Sequence, residues 1–524
     1  MARISLALHR RGNAVRDARS CERWLTIAPL ADSHQACSEI CGLLDTLAEQ
    51  PPAARGYLDV LDRLFDPVRI ATEANSKRFS GRPLPLSDAE RTSFDTVEDL
   101  LTSYGRAYHG LALAARQSNQ HALASKRALL IVRAMQSLVQ RITLRYSVRR
   151  EITADLWHDL HDLFGVAETF GIENEPAGSE RAPLVSAFEL YVRILLLHLA
   201  SPYSLSVREQ DWAQRWLRKW AGRVSFGALE EGRDQIGVDL DDDEPPHILR
   251  NADGPSIRIL DFSALRGTIR RRLRGLKEGQ SASALGLGAD IPSVEALQLV
   301  RHLKRQWLDM PVQRQFKRRE ISGDVEVALG FAEIHRVIGG RMARDARPVW
   351  QFNWRDAQQL ATLGKLDLEI SEEDPYRASV WQQLDDSANG FRLRRESIGA
   401  RLTHRQLIAL RPEGAPAFIL AEVRWLTTSA DIDITIGVQS LPGLAQPIAA
   451  RAFNGRTNID EPLREAFVLS AMPGGEASLL LPTGLYRDAR LLELQHEGTS
   501  RTVKLIKMLQ QGTDFERVTF ALYV

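Results

Sequence analysis

The spacing of apolar residues changes once along this chain, and the change limits the folds open to it. Up to Gly222, apolar residues recur every three or four positions, as on one face of a helix. From Glu320 onward the period falls to two, as in Val325, Val327 and Leu329. We therefore predict an α+β multidomain protein, with an N-terminal all-α helical region followed by β-strands.

The pattern divides the chain into four regions. Residues 1–226 are predicted to form a helical domain, and 227–304 a linker or mixed region with one strand and a basic helix. Residues 305–445 are predicted to form a small antiparallel β-barrel, because closure removes the exposed edges of short strands joined by tight turns. Residues 446–524 form a C-terminal β-rich region, compatible with a second small barrel packed on the first. The acidic run 239–246 is typical of a solvated linker.

Composition excludes several classes of protein. The 524 residues carry 68 Lys and Arg against 67 Asp and Glu, which argues against a surface that coats nucleic acid or an anionic membrane. Hydrophobic residues make up 44% of the chain, enough for a globular core, and no stretch is apolar enough to predict membrane insertion. Three cysteines are too few for a disulfide framework, which fits a cytoplasmic protein.

No catalytic or metal-binding motif is found. His34, Cys37 and Cys41 lie close together, but no fourth ligand follows, so structural residues are the favoured interpretation. A nucleophile elbow, a phosphate-binding Walker loop and a zinc-protease helix are all missing from the sequence. We therefore predict no metal, no cofactor and no enzymatic activity.

Two further patterns have both a structural and a functional interpretation. Three tryptophans share one helix face, which favours a core or a helix–helix seam over a ligand-stacking platform: Trp212, Trp216 and Trp220. Six basic residues form a stretch typical of a solvated helix face, with contact to a polyanion as the alternative: Arg266, Arg270, Arg271, Arg272, Arg274 and Lys277. Nucleic acid is a disfavoured partner, because no helix-turn-helix signature accompanies this stretch.

Two motifs lie on the predicted barrel. Arg314 and Arg318 form R-x-x-x-R immediately before its first strand. Asp385, Ser387 and Gly390 form D-x-S-x-x-G at the entry to a later strand. R-x-x-x-R alone is a weak signal where 59 of the 68 basic residues are arginines, whereas D-x-S-x-x-G is the rarer pattern.

Together and in this order, the motifs resemble those of the PilZ family, whose members bind the bacterial second messenger cyclic di-GMP. Residues 421–426 and 436–439 are similar to the V-x-W and I-G-V strands of that family. The resemblance covers about residues 312–445. The two motifs lie farther apart here than is usual in the family, so 331–384 is predicted to be an insertion with a helical part near 354–363.

The resemblance implies cyclic di-GMP as the ligand, and the residue types suit it. An arginine can clamp a phosphate, or bond O6 and N7 of guanine. A carboxylate can accept hydrogen bonds from guanine N1–H and N2–H₂, a serine can bond a phosphate or a base edge, and a glycine lets the backbone approach closely. The residues predicted to bind the ligand are Arg314, Arg318, Arg319, Asp385, Ser387 and Gly390.

The favoured function is that of a bacterial, cytoplasmic cyclic di-GMP receptor. Binding at the PilZ-like barrel would be coupled to the helical region, which would contact a protein partner. The alternative is a non-enzymatic interaction scaffold whose degenerate barrel holds no ligand. The predicted insertion is the observation that favours this alternative.

Overall fold

The computed structural model of the protein divides into two compact units. The first contains residues 1–82 and 86–313, and the second contains 83–85 and 314–524. The structure describes residues 15–523 apart from 118–120, 180–181, 228–229, 231–232, 251–253, 310–318, 343–377, 388–389, 397–398, 430–432, 454–461 and 473–475. Helices dominate the first unit and strands the second, so the predicted α+β multidomain class is confirmed.

The first unit is built mainly from α-helices. Asp32 and Ser186 precede two of them, and each side chain accepts a hydrogen bond from the backbone N–H three residues on, which satisfies a donor at the helix start. The helices are α1 Ala18–Leu25, α2 Ser33–Glu49, α3 Ala54–Ser76, α4 Asp88–Gln117, α5 His121–Ala124, α6 Arg127–Ser147, α7 Ala154–Thr169, α8 Ala187–Leu199, α9 Val207–Trp220, α10 Ser263–Lys277 and α11 Ser293–Trp307.

The tryptophans of α9 are buried in the core of this unit. Trp212, Trp216 and Trp220 are each 2% exposed. Nε1 of Trp212 donates to Oδ2 of Asp290 at 3.0 Å, and Nε1 of Trp216 donates to the carbonyl of Leu287 at 2.7 Å. These two indole N–H groups are satisfied while all three rings are buried, so the interpretation of the stripe as core is confirmed.

The region 227–304 contains more strands than the single one expected. The strands of the first unit are β1 Ala177–Ser179, β2 Ala182–Val185, β3 Ser225–Gly227, β4 Gln235–Asp239, β5 His247–Leu249 and β6 Ile257–Asp261. The last four form an antiparallel sheet in the order β3–β6–β4–β5, and Val238 and Ile259 from its two central strands are buried. The acidic run 239–246 joins β4 to β5, and Oδ1 of Asp243 lies 2.8 Å from Nδ1 of His158 on α7.

The second unit contains two closed antiparallel barrels of six strands each. When the strands of each barrel are numbered from one to six, both rings run in the order 1–2–3–6–5–4, so the barrels share one topology. The first barrel consists of β7 Arg319–Leu329, β8 Ser379–Ser387, β9 Gly390–Arg395, β10 Leu407–Pro412, β11 Ile419–Thr427 and β12 Ile434–Ser440. The second consists of β13 Ala445–Ala452, β14 Arg464–Leu469, β15 Ser478–Pro482, β16 Leu491–His496, β17 Thr499–Gln511 and β18 Phe515–Leu522.

The range 331–384, expected to be an insertion, contains helix α12 (Phe331–Met342) and the beginning of β8. Its middle, with the helical part expected near 354–363, lies outside the described residues. Ile334 and Ile338 of α12 are buried in an apolar cluster that contains residues of both barrels. The beginning of this range is therefore part of the folded core of the unit.

The two barrels pack against each other through their outer faces. Leu407 of the first barrel and Phe467 and Phe515 of the second are fully buried in the shared apolar cluster. At its margin, Oδ1 of Asp514 accepts from the backbone N–H of Leu407 at 2.8 Å. The second barrel is thus an integral part of the unit that carries the D-x-S-x-x-G motif.

Acid is expected to weaken the second barrel through Glu493. Its carboxylate accepts from Arg451 at 2.7 Å and from Ser500 at 2.7 Å, and the Arg451 hydrogen bond is the main cause that lowers its pKa from 4.5 to about 2. A carboxyl group with a lowered pKa stabilises the fold above its unfolded value, and this contribution is lost as the pH falls from about 4.5 to about 2. Glu493→Gln should therefore lower the melting temperature at pH 7 more than at pH 3.

Glu465 supplies the matched control for this prediction, because it lies in the same barrel and its side chain is exposed. Glu465→Gln should change the melting temperature equally little at both pH values. An equal effect of Glu493→Gln at the two pH values would contradict a role for the ionised carboxylate.

Candidate functional site

The D-x-S-x-x-G motif spans the hairpin between β8 and β9. Asp385 and Ser387 lie at the end of β8, and Gly390 begins β9 opposite Ser387. Asp385 is 8% exposed. The side chain of Ser387 lies outside the described residues, as do the two residues between the strands.

The start of β7 lies beside this hairpin. Arg319 is the register partner of Asp386, and Glu320 is the partner of Asp385. Residues that are directly opposite in an antiparallel pair have Cα atoms about 5 Å apart, so the strand that follows R-x-x-x-R lies beside D-x-S-x-x-G at this point. Arg314, Arg318 and the side chain of Arg319 lie outside the described residues.

A β-bulge determines which way Asp385 faces. Gln383 pairs with Leu393, but Asp385 pairs with Arg392, so β8 uses two residues where β9 uses one. The extra residue shifts the alternation of side chains by one position. Leu393 is fully buried inside the barrel, whereas Arg392 is exposed. The bulge therefore turns Asp385 to the outer face, beside Arg392.

A second bulge has the same effect on Trp425. Val423 pairs with Val438, but Trp425 pairs with Gly437, so β11 carries one extra residue relative to β12. The Trp425 indole lies over Gly437, since a Cβ atom placed on that glycine would be 1.9 Å from Nε1. Only glycine leaves room for the ring at this position.

These register pairs form one row across four neighbouring strands, which we call the outer row. It consists of Asp385 on β8, Arg392 on β9, Gly437 on β12 and Trp425 on β11. The row brings together the carboxylate of the largely buried Asp385, an exposed guanidinium and a partly exposed indole. Such a set can accept from a base edge, pair with a phosphate and pack against an aromatic ring.

Gly390 has a structural reason to be glycine. A Cβ atom placed on it would lie 2.3 Å from the backbone oxygen of Val438 on β12, far inside van der Waals contact. The predicted role of this glycine, to let the backbone approach the ligand closely, stays a prediction. Its close neighbour among the described residues is the adjacent strand of the same barrel.

Arg392 and Trp425 were not among the predicted ligand residues. Counting back from the Ser387–Gly390 pair places Arg392 opposite Asp385, and the bulge follows only beyond this pair, between Gln383 and Asp385. In β9, Leu393 lies between Arg392 and Arg394, and this alternation was the signal in the sequence for an outward-facing arginine. Nothing in the sequence marked the positions of the two bulges.

Two family models match the chain. The model described as the N-terminal domain of the cyclic-di-GMP receptor FimW matches residues 19–231, and the model of the FimW C-terminal β-barrel domain matches 448–523. The cyclic-di-GMP receptor FimW of Pseudomonas aeruginosa is 20% identical over 534 aligned residues, which cover 92% of this chain and 86% of that protein.

The matched ranges agree with the architecture described above. The first covers most of the helices of the first unit, and the second coincides with the second barrel. Residues 232–447, which contain the first barrel and the outer row, lie between the two matched ranges. The alignment with the Pseudomonas protein nevertheless extends over nearly the whole of both chains.

Other kinds of site find little support in the described residues. These residues contain no group of three or more His, Cys, Asp or Glu side chains that could hold a metal ion. Burial raises the pKa of the Cys21 and Cys37 thiols to about 12, so neither is a thiolate near neutral pH. Among the helices that the structure describes, none has the length and hydropathy needed to span a bilayer.

Proposed function

We propose that this protein is a cyclic di-GMP receptor whose ligand binds the outer face of the first barrel. The observation that carries the proposal is the register of β7 with β8, which places the strand following R-x-x-x-R beside D-x-S-x-x-G. The name of the Pseudomonas relative, a cyclic-di-GMP receptor, supports the same ligand.

The residues have complementary roles in this proposal. The 314–319 segment supplies arginines for the two phosphates and the guanine edges, since guanidinium forms bidentate pairs with both. Asp385 accepts from guanine N1–H and N2–H₂, and Ser387 bonds a phosphate or a base edge. In the outer row, Arg392 adds a further phosphate contact and Trp425 an apolar wall.

The proposal is for binding without turnover. Cyclic di-GMP reorders the segment 314–319, and the helical region changes what it presents to a protein partner. Because such a messenger is made and read inside the cell, the receptor is proposed to be cytoplasmic. The net charge of +1 fits recognition of a single small dianion better than recognition of a polymer.

Isothermal titration calorimetry tests this function directly. Cyclic di-GMP at micromolar concentration should give a saturable heat, and its affinity should rise at low salt because phosphate pairing contributes to it. GTP and cyclic di-AMP should give none under the same conditions. If this protein gives no heat with cyclic di-GMP while a known receptor does so under the same conditions, the ligand-free scaffold is favoured instead.

A further inference from the structure

Helix α10 (Ser263–Lys277) exposes a row of positive charge that the proposed receptor function does not use. Its apolar face is buried in the first unit and consists of Leu265, Ile269, Leu273 and Leu276. Its other face carries exposed basic residues: Arg266, Arg270, Arg271, Arg274 and Lys277. The helix is therefore anchored by one side and cationic on the other.

Four of these cations form a straight stripe, which we call the α10 stripe: Arg266, Arg270, Arg274 and Lys277. At about 100° per residue they fall within an arc of about 80°. The three arginines are spaced about 6 Å apart along the helix axis, Lys277 follows about 4.5 Å farther on, and the stripe is about 16 Å long. Arg272 points away from it, since its guanidinium lies 5.3 Å from the ring centre of Trp220.

The stripe is not neutralised by any of the residues that the structure describes. Within the part of the chain that the structure describes, none of its four charged groups makes an ion pair or a hydrogen bond. Other arginines of this unit are paired: Arg215 with Asp290 at 2.8 Å, and Arg258 with Glu168 at 2.7 Å. Four like charges one helical turn apart repel one another, so an anionic partner would relieve an existing cost.

The charge of the surrounding chain limits what that partner can be. Residues 263–307 contain nine Lys and Arg against three Asp and Glu, a net +6. The chain as a whole carries only +1, so the remainder carries −5. A long polyanion or an anionic bilayer would meet this negative remainder, whereas a short anionic segment would meet only the stripe.

Two further features argue against nucleic acid and lipid. The exposed face of α10 has no aromatic residue on which a base could stack, and single-strand binding depends on such platforms. A membrane-surface helix inserts its apolar face into the lipid, but that face of α10 is buried in the protein core.

We propose that the α10 stripe docks an acidic helical segment of a protein partner. Carboxylates four residues apart on such a helix repeat at the same spacing of about 6 Å as the arginines, so several pairs form in register. Arginine suits this role because its planar fork binds a carboxylate with two hydrogen bonds.

A synthetic peptide tests this proposal with the full-length protein. The probe is an Ala/Gln helix of about 20 residues with four glutamates on one face, each a helical turn from the next. Its partner probe has the same composition, with the glutamates spread around the helix. Fluorescence anisotropy at low salt, about 50 mM, should show tighter binding of the one-faced peptide.

Charge reversal identifies the surface that binds. Arg270→Glu/Arg274→Glu should weaken binding more than tenfold with an unchanged melting temperature, since both side chains are exposed. Arg55→Glu/Arg106→Glu is the matched control, because both of these arginines are exposed on other helices of the same unit, and it should change binding less than twofold.

Three results would overturn the proposal. The one-faced peptide could fail to bind, or the two peptides could bind with equal affinity, which would indicate charge attraction without register. Duplex DNA or vesicles containing phosphatidylglycerol could bind more tightly than the peptide at the same salt and lose that binding in Arg270→Glu/Arg274→Glu. In that case the stripe would serve nucleic acid or a membrane instead.

Discussion

Alanine at Asp385 or at Arg318 is expected to weaken cyclic di-GMP binding by about 100-fold. Each substitution removes a charged hydrogen-bonding group from the proposed site, and such bonds contribute about 1.5–3 kcal/mol. The remaining partner groups would also lose their complement. Calorimetric titration of the two variants and the wild type measures the loss.

Arg487→Ala is the matched control, because this arginine is exposed in the same unit and lies outside the proposed site. It should bind cyclic di-GMP like the wild type. Melting temperatures separate lost contacts from lost folding, which matters most for the largely buried Asp385. Normal binding by folded Arg318→Ala would show that the 314–319 segment does not contact the ligand.

Gly390→Ala is expected to destabilise the first barrel by about 2 kcal/mol, since overpacking a tight contact costs about 1–3 kcal/mol. The added methyl group would meet the Val438 backbone oxygen at 2.3 Å, so β9 or β12 would have to move. A lower urea midpoint for the unfolding of the second unit would register the change.

Gly323→Ala provides the comparison within the same barrel. Gly323 lies on β7, and a Cβ atom there would meet nothing closer than 4.0 Å, at the end of a flexible Glu413 side chain. This substitution should leave the midpoint unchanged or raise it slightly, because alanine restricts the unfolded chain more than glycine does. Equal urea midpoints for the two variants would show that β12 can move at Val438 without a measurable loss of stability.

The sequence predicted the classes of structure well because periodicity reports burial directly. The helical period of α9 placed its three tryptophans on one face, and they form part of the core. The two-residue period after Glu320 predicted barrel strands, and the second barrel follows from the same pattern. The sheet of β3 to β6 around Val238 was largely missed, because its strands are short and flanked by acidic residues, a pattern that is typical of a linker.

The direction in which the site residues face was harder to predict from the sequence. Asp385 could be named from its motif, but its outward direction depends on a bulge that one extra residue creates. Bulges arise from the competition between neighbouring registers, and no local residue pattern encodes the outcome. Arg392 and Trp425 were recognised only once the strands were paired, although both lie within segments already predicted to be β.

The closed rings also restrict how any partner can attach to this protein. Every strand of the two barrels is bonded on both sides, so neither barrel offers a free edge to which an extended peptide could add as a further strand. In the four-stranded sheet of the first unit, the edges are β3 and β5, each three residues long. The two-stranded sheet of β1 and β2 has free edges of only three and four residues. Among the described strands, recognition by β-augmentation therefore has only short edges to use, and we expect partners to read side chains on helices and on the outer faces of the barrels.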